Sequence, residues 1–365
     1  MVRERETSFF FFLTVTTIEG FSFVSASDFR KVGETLREHV QTSIASYQSL
    51  FSSVGLAWEE ALQIASDRYS SSVPSWLVDE MKEFAVGANV SFNVVLAVNA
   101  RTELFALGKS RRDWTSECTT VATSRFLAQN WDWKPEQESA IAVVDMAAVS
   151  NEKRRVVTLT EGGLLCKMGM NDAGLAVALN LIRSVDDCKK EGSGLPLHLL
   201  LRYLLAKCSN VQEALSLIRS VKVDASSCFT LMDASGNLEV VEICPSGVFV
   251  EGNRRRPDGL VAHTNHFVYA PHMQQAPLEP NSVSRLATAF KLLQESKPES
   301  VDALLQLLAF HCKEEGELAS LCKHPGEHKG NICTLGVLIF DTTNKECHIS
   351  SSRPCTGNEM IKIKF

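Results

Sequence analysis

Cys118 sits in the pattern best suited to covalent chemistry. It opens the run Cys118-Thr119-Thr120, and an acid returns fourteen residues later in Gln129-Asn130-Trp131-Asp132-Trp133. The stretch reads as two short strands with Ser124 and Arg125 at the turn, and paired strands bring distant residues within side-chain reach. A thiol acts as a nucleophile only with a lowered pKa or an adjacent base. No histidine lies close to Cys118 in sequence. A second set, His263-Thr264-Asn265-His266, follows Gly259-Leu260-Val261-Ala262, which reads as a strand. An asparagine at a strand end can donate its amide N–H to a developing oxyanion, while His263 and His266 read as structural. A third set, His311-Cys312, Cys322-Lys323-His324, His328 and Cys333, gathers metal-binding residue types. Its spacing fits no zinc template and Pro325-Gly326 interrupts it, so no metal is expected.

These residues need elements to hold them. From Asp28 to about Phe105 apolar residues recur at threes and fours. Phe29, Val32, Leu36, Val40, Ile44 and Tyr47 predict one long helix capped by Ser27 or Asp28. Further helices are expected over Trp58–Tyr69, after Pro74, and from Phe92 to Leu107. Beyond the polar break Lys109–Asp113 strands dominate: Ile141–Met146, Arg155–Thr160, Leu164–Met168 and Leu175–Asn180. Helices at Leu195–Ala206 and Val211–Val221 precede strands at Cys228–Met232 and Leu238–Ile243. Helices at Ser282–Leu293 and Val301–Phe310 then precede strands at Thr334–Phe340 and Cys347–Ser350. Meander-ordered strands with grouped helices predict an α+β fold, antiparallel sheets covered by helices.

Composition bounds the rest. A chain of 365 residues, 45% hydrophobic and 22% charged, is long enough for one large or two modest domains. Its net charge of −6 and pI near 5.9 leave no basic footprint for nucleic acid. No run of eighteen apolar residues occurs, so no membrane span is expected. Eleven cysteines, an odd number without a framework, point to a reducing compartment. Arg3, Arg5, Phe9–Leu13, Ala26 and Ser27 are the parts of a secretory signal, but Glu4, Glu6 and Glu19 interrupt it. A first buried strand from about Ser8 to Thr16 and a cytoplasmic location are expected instead, with secretion as the second reading.

Taken together, Cys118-Thr119-Thr120, Gln129-Asn130-Trp131-Asp132-Trp133 and His263-Thr264-Asn265-His266-Phe267 resemble the hallmark segments of a known family. It is the acyl-coenzyme A:6-aminopenicillanic acid acyltransferase family of N-terminal-nucleophile hydrolases, which includes β-alanyl-amine hydrolases. Gly87–Phe92, Asn99–Glu103, Asn171–Leu175 and Leu321–Pro325 extend the likeness, which runs from about Ser27 to Cys355. The resemblance implies a four-layer αββα fold with two stacked antiparallel sheets. It further implies a precursor that cuts itself between Glu117 and Cys118 into chains 1–117 and 118–365, held together noncovalently.

In that scheme Cys118 is the nucleophile and its freed α-amine the base, a role its reference pKa of about 7.7–8.0 suits. Asp132 would orient the amine or thiol, and Asn265 would hold the oxyanion. The expected activity is cleavage or transfer of acyl groups of small amides through a Cys118 thioester, with no cofactor. Acyl-CoA is the alternative co-substrate. Glu117 departs from the glycine that members often carry there, and its β-carbon restricts the backbone. It motivates a further alternative, an uncleaved binder of small molecules. The short Cys118–Asp132 loop departs from the penicillin-making enzyme.

Overall fold

The computed structural model describes residues 3–4, 14–18, 21–108, 118–147, 153–189, 194–250, 259–274, 280–312, 320–326, 331–357 and 360–365. From Phe29 to Leu107 the chain is helical. Asp28 accepts from Lys31 N–H and caps α1 (Phe29–Thr35), and α2 (Arg37–Ser53) follows after a one-residue break. The expected single helix therefore bends at Leu36. Leu36 still donates to Val32 and Val40 to Leu36, so Phe29, Val32, Leu36, Val40 and Tyr47 share one buried stripe.

Three helices come next: α3 (Trp58–Tyr69), α4 (Ser75–Ala88) and α5 (Phe92–Asn99). The run expected to continue to Leu107 is broken at Ala100, with α6 covering Arg101–Leu107. Asn99 explains the break. Its carboxamide donates to the carbonyls of Val95 and Gly163, both at 2.8 Å, and accepts from Leu165 N–H. A side chain that bonds the backbone in this way competes with helix continuation.

Among the described residues the strands form two sheets. The seven-stranded sheet runs β1 (Arg3–Glu4), β16 (Ile361–Lys364), β15 (Glu346–Ser350), β14 (Cys333–Asp341), β5 (Phe126–Trp133), β4 (Thr119–Ala122), β13 (Val261–His263). The nine-stranded sheet runs β12 (Gly247–Val250), β11 (Leu238–Cys244), β10 (Ser227–Met232), β9 (Ala176–Leu181), β8 (Met168–Asn171), β7 (Val156–Glu161), β6 (Ile141–Met146), β3 (Phe21–Ala26), β2 (Thr14–Ile18). All pairings are antiparallel except β1 with β16 and β3 with β6.

The strand expected over Leu164–Met168 is displaced to Met168–Asn171. Leu165 and Lys167 N–H groups are taken by Asn99 and Thr158 side chains instead of a ladder. The first strand expected from Ser8 begins at Thr14; Ser8–Leu13 lie outside the described residues. Strands β1, β3, β12 and β16 were not expected at all.

The sheets stack face to face. On β5 the pleat sends Phe126 and Ala128 outward, to a small core with Ala289, Leu293, Leu304 and Leu308 from α9 (Pro280–Ser296) and α10 (Val301–Leu308). Leu127 and Trp131 join the larger inner core, and Gln129 accepts from Leu179 N–H on β9. Helices α1 and α2, with α7 (Leu197–Lys207) and α8 (Val211–Ser220), cover the far side of the nine-stranded sheet. The result is an αββα stack. No single described helix is long and apolar enough to cross a membrane.

The helical layer depends on close backbone approach at one crossing. A Cβ on Gly87 of α4 would lie 1.9 Å from the Arg30 carbonyl oxygen, and one on Gly33 of α1 would lie 2.2 Å from that of Phe84. Alanine ordinarily improves a helix by about 1 kcal/mol over glycine. Here the obstacle is backbone, which cannot rotate aside. Gly87→Ala is therefore expected to destabilise the fold by about 1–3 kcal/mol, read as a lower urea midpoint.

Candidate active site

Cys118 stands at the start of β4, and the register Thr119 to Asn130 puts it beside the end of β5. Its sulfur donates to the Asp132 main-chain carbonyl at 3.6 Å. Its own carbonyl is held from two sides. Asn180 Nδ2, at the end of β9, donates to it at 3.0 Å, and Arg285 Nη1, from α9, at 2.8 Å. Thr120 fixes Asn180 by donating to its Oδ1 at 2.7 Å. Arg285 also reaches Thr119 Oγ1 and, through Nη2, the Asn265 Oδ1 at 3.0 Å. Asn265 in turn donates to the Leu181 carbonyl at 2.9 Å. The three residues anticipated for the site, Cys118, Asp132 and Asn265, are thus in one network. Glu117, the other half of the expected cleavage site, lies outside the described residues.

Asp132 contributes in two directions. While its carbonyl meets the thiol, its carboxylate accepts from Thr334 Oγ1 at 2.7 Å, and Thr334 accepts from Lys323 N–H. A bulge between Thr334 and Gly336 gives β14 an extra residue opposite β5, setting Thr334 directly against Asp132. The histidines play other parts. His263 bonds the Glu242 carboxylate at 3.0 Å and the Thr264 carbonyl, and His266 bonds Ser282. Burial lowers the His266 pKa to about 4, so it is neutral. Both are thus engaged by neighbouring elements of the fold.

The sulfur is not self-activating. Burial, and then the nearby Asp132 charge, push the Cys118 thiol up to about 11, with Lys167 and Arg285 opposing. Behind it Lys167 Nζ lies 3.7 Å from the centre of the Trp131 ring. Arg101 pairs with Glu161 at 2.9 Å, and Tyr47 donates to the same carboxylate.

Asn180, Arg285, Thr334 and Lys167 escaped the sequence reading, yet two of them left a signal. Arg285 shares the buried α9 stripe with Ala289 and Leu293, where a charge is out of place. Asn180 likewise lies in phase with the buried Ala176 and Ala178.

A family profile described as acyl-coenzyme A:6-aminopenicillanic acid acyl-transferase matches residues 118–354, well over half of the chain, and begins at Cys118 itself. The chain belongs to this family. It is accordingly an enzyme of the amidohydrolase/acyltransferase kind, on an α+β fold. Among curated proteins it is 25% identical over 291 residues to the acyl-coenzyme A:6-aminopenicillanic-acid-acyltransferase 40 kDa form of Emericella nidulans, covering 79% of this chain and 78% of that one. Solved structures similar to it include penicillin V acylase from Agrobacterium tumefaciens, at 17% identity and a TM-score of 0.47, over 68% of this chain and 86% of that one. A mutant conjugated bile acid hydrolase from Clostridium perfringens gives 13% and 0.49, over 68% and 92%.

Lys167 supplies a test of the electrostatics. Burial, and then the Arg101 charge, depress its pKa to about 7, against about 10.4 in the unfolded chain. Above pH 7 the unfolded chain holds that proton and the folded one releases it, so stability rises with pH. Lys167→Met should remove this slope, up to about 1.4 kcal/mol per pH unit, from urea midpoints compared between about pH 7 and pH 9. Identical slopes in both proteins would refute the depressed lysine.

Proposed function

We propose that the chain cleaves itself before Cys118, and that the mature enzyme opens small acyl- or aminoacyl-amides through a Cys118 thioester. In the first step the Cys118 sulfur attacks the Glu117 carbonyl carbon and the Glu117–Cys118 C–N bond breaks. The nitrogen takes up a proton, and water then hydrolyses the thioester to free the thiol. Chains 1–117 and 118–365 stay together because β3 is paired along its length with β6, and the helical layer packs on the same sheet.

One observation carries the reading: Asn180 and Arg285 fix the Cys118 carbonyl while the thiol rests on the main chain of Asp132, not on a histidine. A thiol raised to about 11 is almost entirely protonated at neutral pH, so a base is needed. The new α-amine of Cys118, with a reference pKa of about 7.7–8.0, is the base we assign. Since the thiol already has the Asp132 carbonyl, the Asp132 carboxylate is assigned to the amine, and Asn265 to the oxyanion. In turnover the thiolate attacks the substrate carbonyl, the α-ammonium returns its proton to the leaving amine, and water resolves the thioester. Resolution by an amine, with acyl-CoA as donor, is the second choice, favoured by the acyl-CoA substrate in the name of the fungal relative. No cofactor enters either route. Eleven cysteines, an odd number, support a reducing, cytoplasmic setting.

Intact mass tests the scheme. The wild type should give two fragments meeting at Glu117–Cys118, and Cys118→Ala one uncut chain. A wild type that stays whole with native circular dichroism would favour a non-catalytic binder. Asp132→Asn should lower turnover by about 100-fold or more, and unchanged turnover would remove the acid from the assignment. Because the base works deprotonated, kcat/KM should rise with pH through the amine pKa, near 8 or below.

A further inference from the structure

On the outer face of the seven-stranded sheet, four side chains from three separate segments converge. His311 follows α10, Cys322 and His324 lie on the loop after it, and Cys355 sits in the short helical turn Pro354–Thr356 near the C-terminus. One ligand atom from each lies within 4.8 Å of all the others. The two sulfurs are 3.6 Å apart, and Cys355 Sγ is 3.3 Å from His324 Nε2. The His311 and His324 rings approach to 5.0 Å between centroids.

We infer that His311, Cys322, His324 and Cys355 form a four-coordinate structural zinc site. A tetrahedron with sulfur about 2.3 Å and nitrogen about 2.0 Å from the metal has edges of about 3.3–3.8 Å. The two measured edges that involve sulfur, 3.6 and 3.3 Å, fall in that range. The other ligand atoms, all within 4.8 Å of one another, reach it by side-chain adjustments of at most about 1.5 Å. Two thiolates and two imidazoles are the donor set of closed, non-catalytic zinc sites, and they satisfy all four positions.

A disulfide is the competing reading. It would need the sulfurs to close to about 2.05 Å and would account for two of the four convergent residues, leaving both imidazoles unexplained. The linear sequence hides the set because Cys355 comes from another part of the chain. His328, considered from spacing, lies outside the described residues, while Cys333 bonds Arg353 instead.

The backbone prepares the site. Leu321 and Cys322 N–H both donate to the Phe310 carbonyl, next to His311, and Cys312 N–H donates to Ser320. Cys322 is fully buried, His311 and His324 are half-buried, and Cys355 is exposed, which leaves the metal a path inward. The loop also borders the nucleophile. Asn130 donates to the Leu321 carbonyl, and Lys323 N–H to the Thr334 hydroxyl that holds Asp132. Zinc would therefore brace the Asp132 side of the site without touching substrate.

The test is zinc content of the full chain, expressed with zinc and purified under a phosphine reductant without chelator. Elemental mass spectrometry should find about one zinc per chain, in the wild type and equally in Cys118→Ala, so the result is independent of self-cleavage. Cys322→Ser and His311→Gln should lose it, and Cys312→Ser, outside the set, should keep it. Should those variants misfold, cobalt(II) exchanged into the wild type decides. Intense tetrahedral visible bands with thiolate charge transfer support the site. Weak octahedral bands, or no uptake, overturn it. So would a wild type free of zinc, full zinc in His311→Gln, or a Cys322–Cys355 cross-linked peptide in metal-free protein.

Discussion

The carbonyl of Cys118 is the point on which three layers meet. Asn180 reaches it from the nine-stranded sheet, Arg285 from the outer helices, and β4 itself belongs to the seven-stranded sheet. A fully buried guanidinium is costly to desolvate. Arg285 offsets that cost with acceptors on Cys118, Thr119, Asn265 and Asn281, each on a different part of the network. The planar fork of arginine serves several acceptors at fixed angles, which a lysine cannot do. Holding the carbonyl holds the residue, and so sets where its nitrogen and sulfur point.

Around that fixed residue the charges are unusual for a protein interior. Lys167, Arg101 and Glu161 are all buried behind Trp131 and Trp133, with two cations around one carboxylate. Burial drives Lys167 toward its neutral form and Cys118 toward its protonated form. The buried Cys118 thiol is thus held protonated. The proposed scheme needs that state, because in it the base forms only once the peptide bond before Cys118 is cut.

The differences between the expected and observed elements have common causes. Periodicity found nearly every helix, because buried stripes such as Phe29, Val32, Leu36 and Val40 survive a bend. It did not find the breaks at Leu36 and Ala100. Asn99 ends its helix by bonding Gly163 and Leu165, more than sixty residues away, and no local pattern encodes that. The same contact displaced β8. The short strands β12 and β16 carry too few residues for alternation to register.

For the site, the sequence alone determined the family and nominated Cys118, Asp132 and Asn265, because motif residues and their strand-turn-strand spacing are local properties. It also determined the α+β class through the order of its periodic segments. Only the tertiary structure decided that the Asp132 carbonyl, not its carboxylate, meets the thiol. It alone selected Asn180 and Arg285 as the clamp, and brought Cys355 to His311, Cys322 and His324. Each of these is a contact between layers or between distant segments. Such contacts follow from how sheets stack and which faces the pleat presents, quantities fixed by packing of the whole core and not by neighbours along the chain.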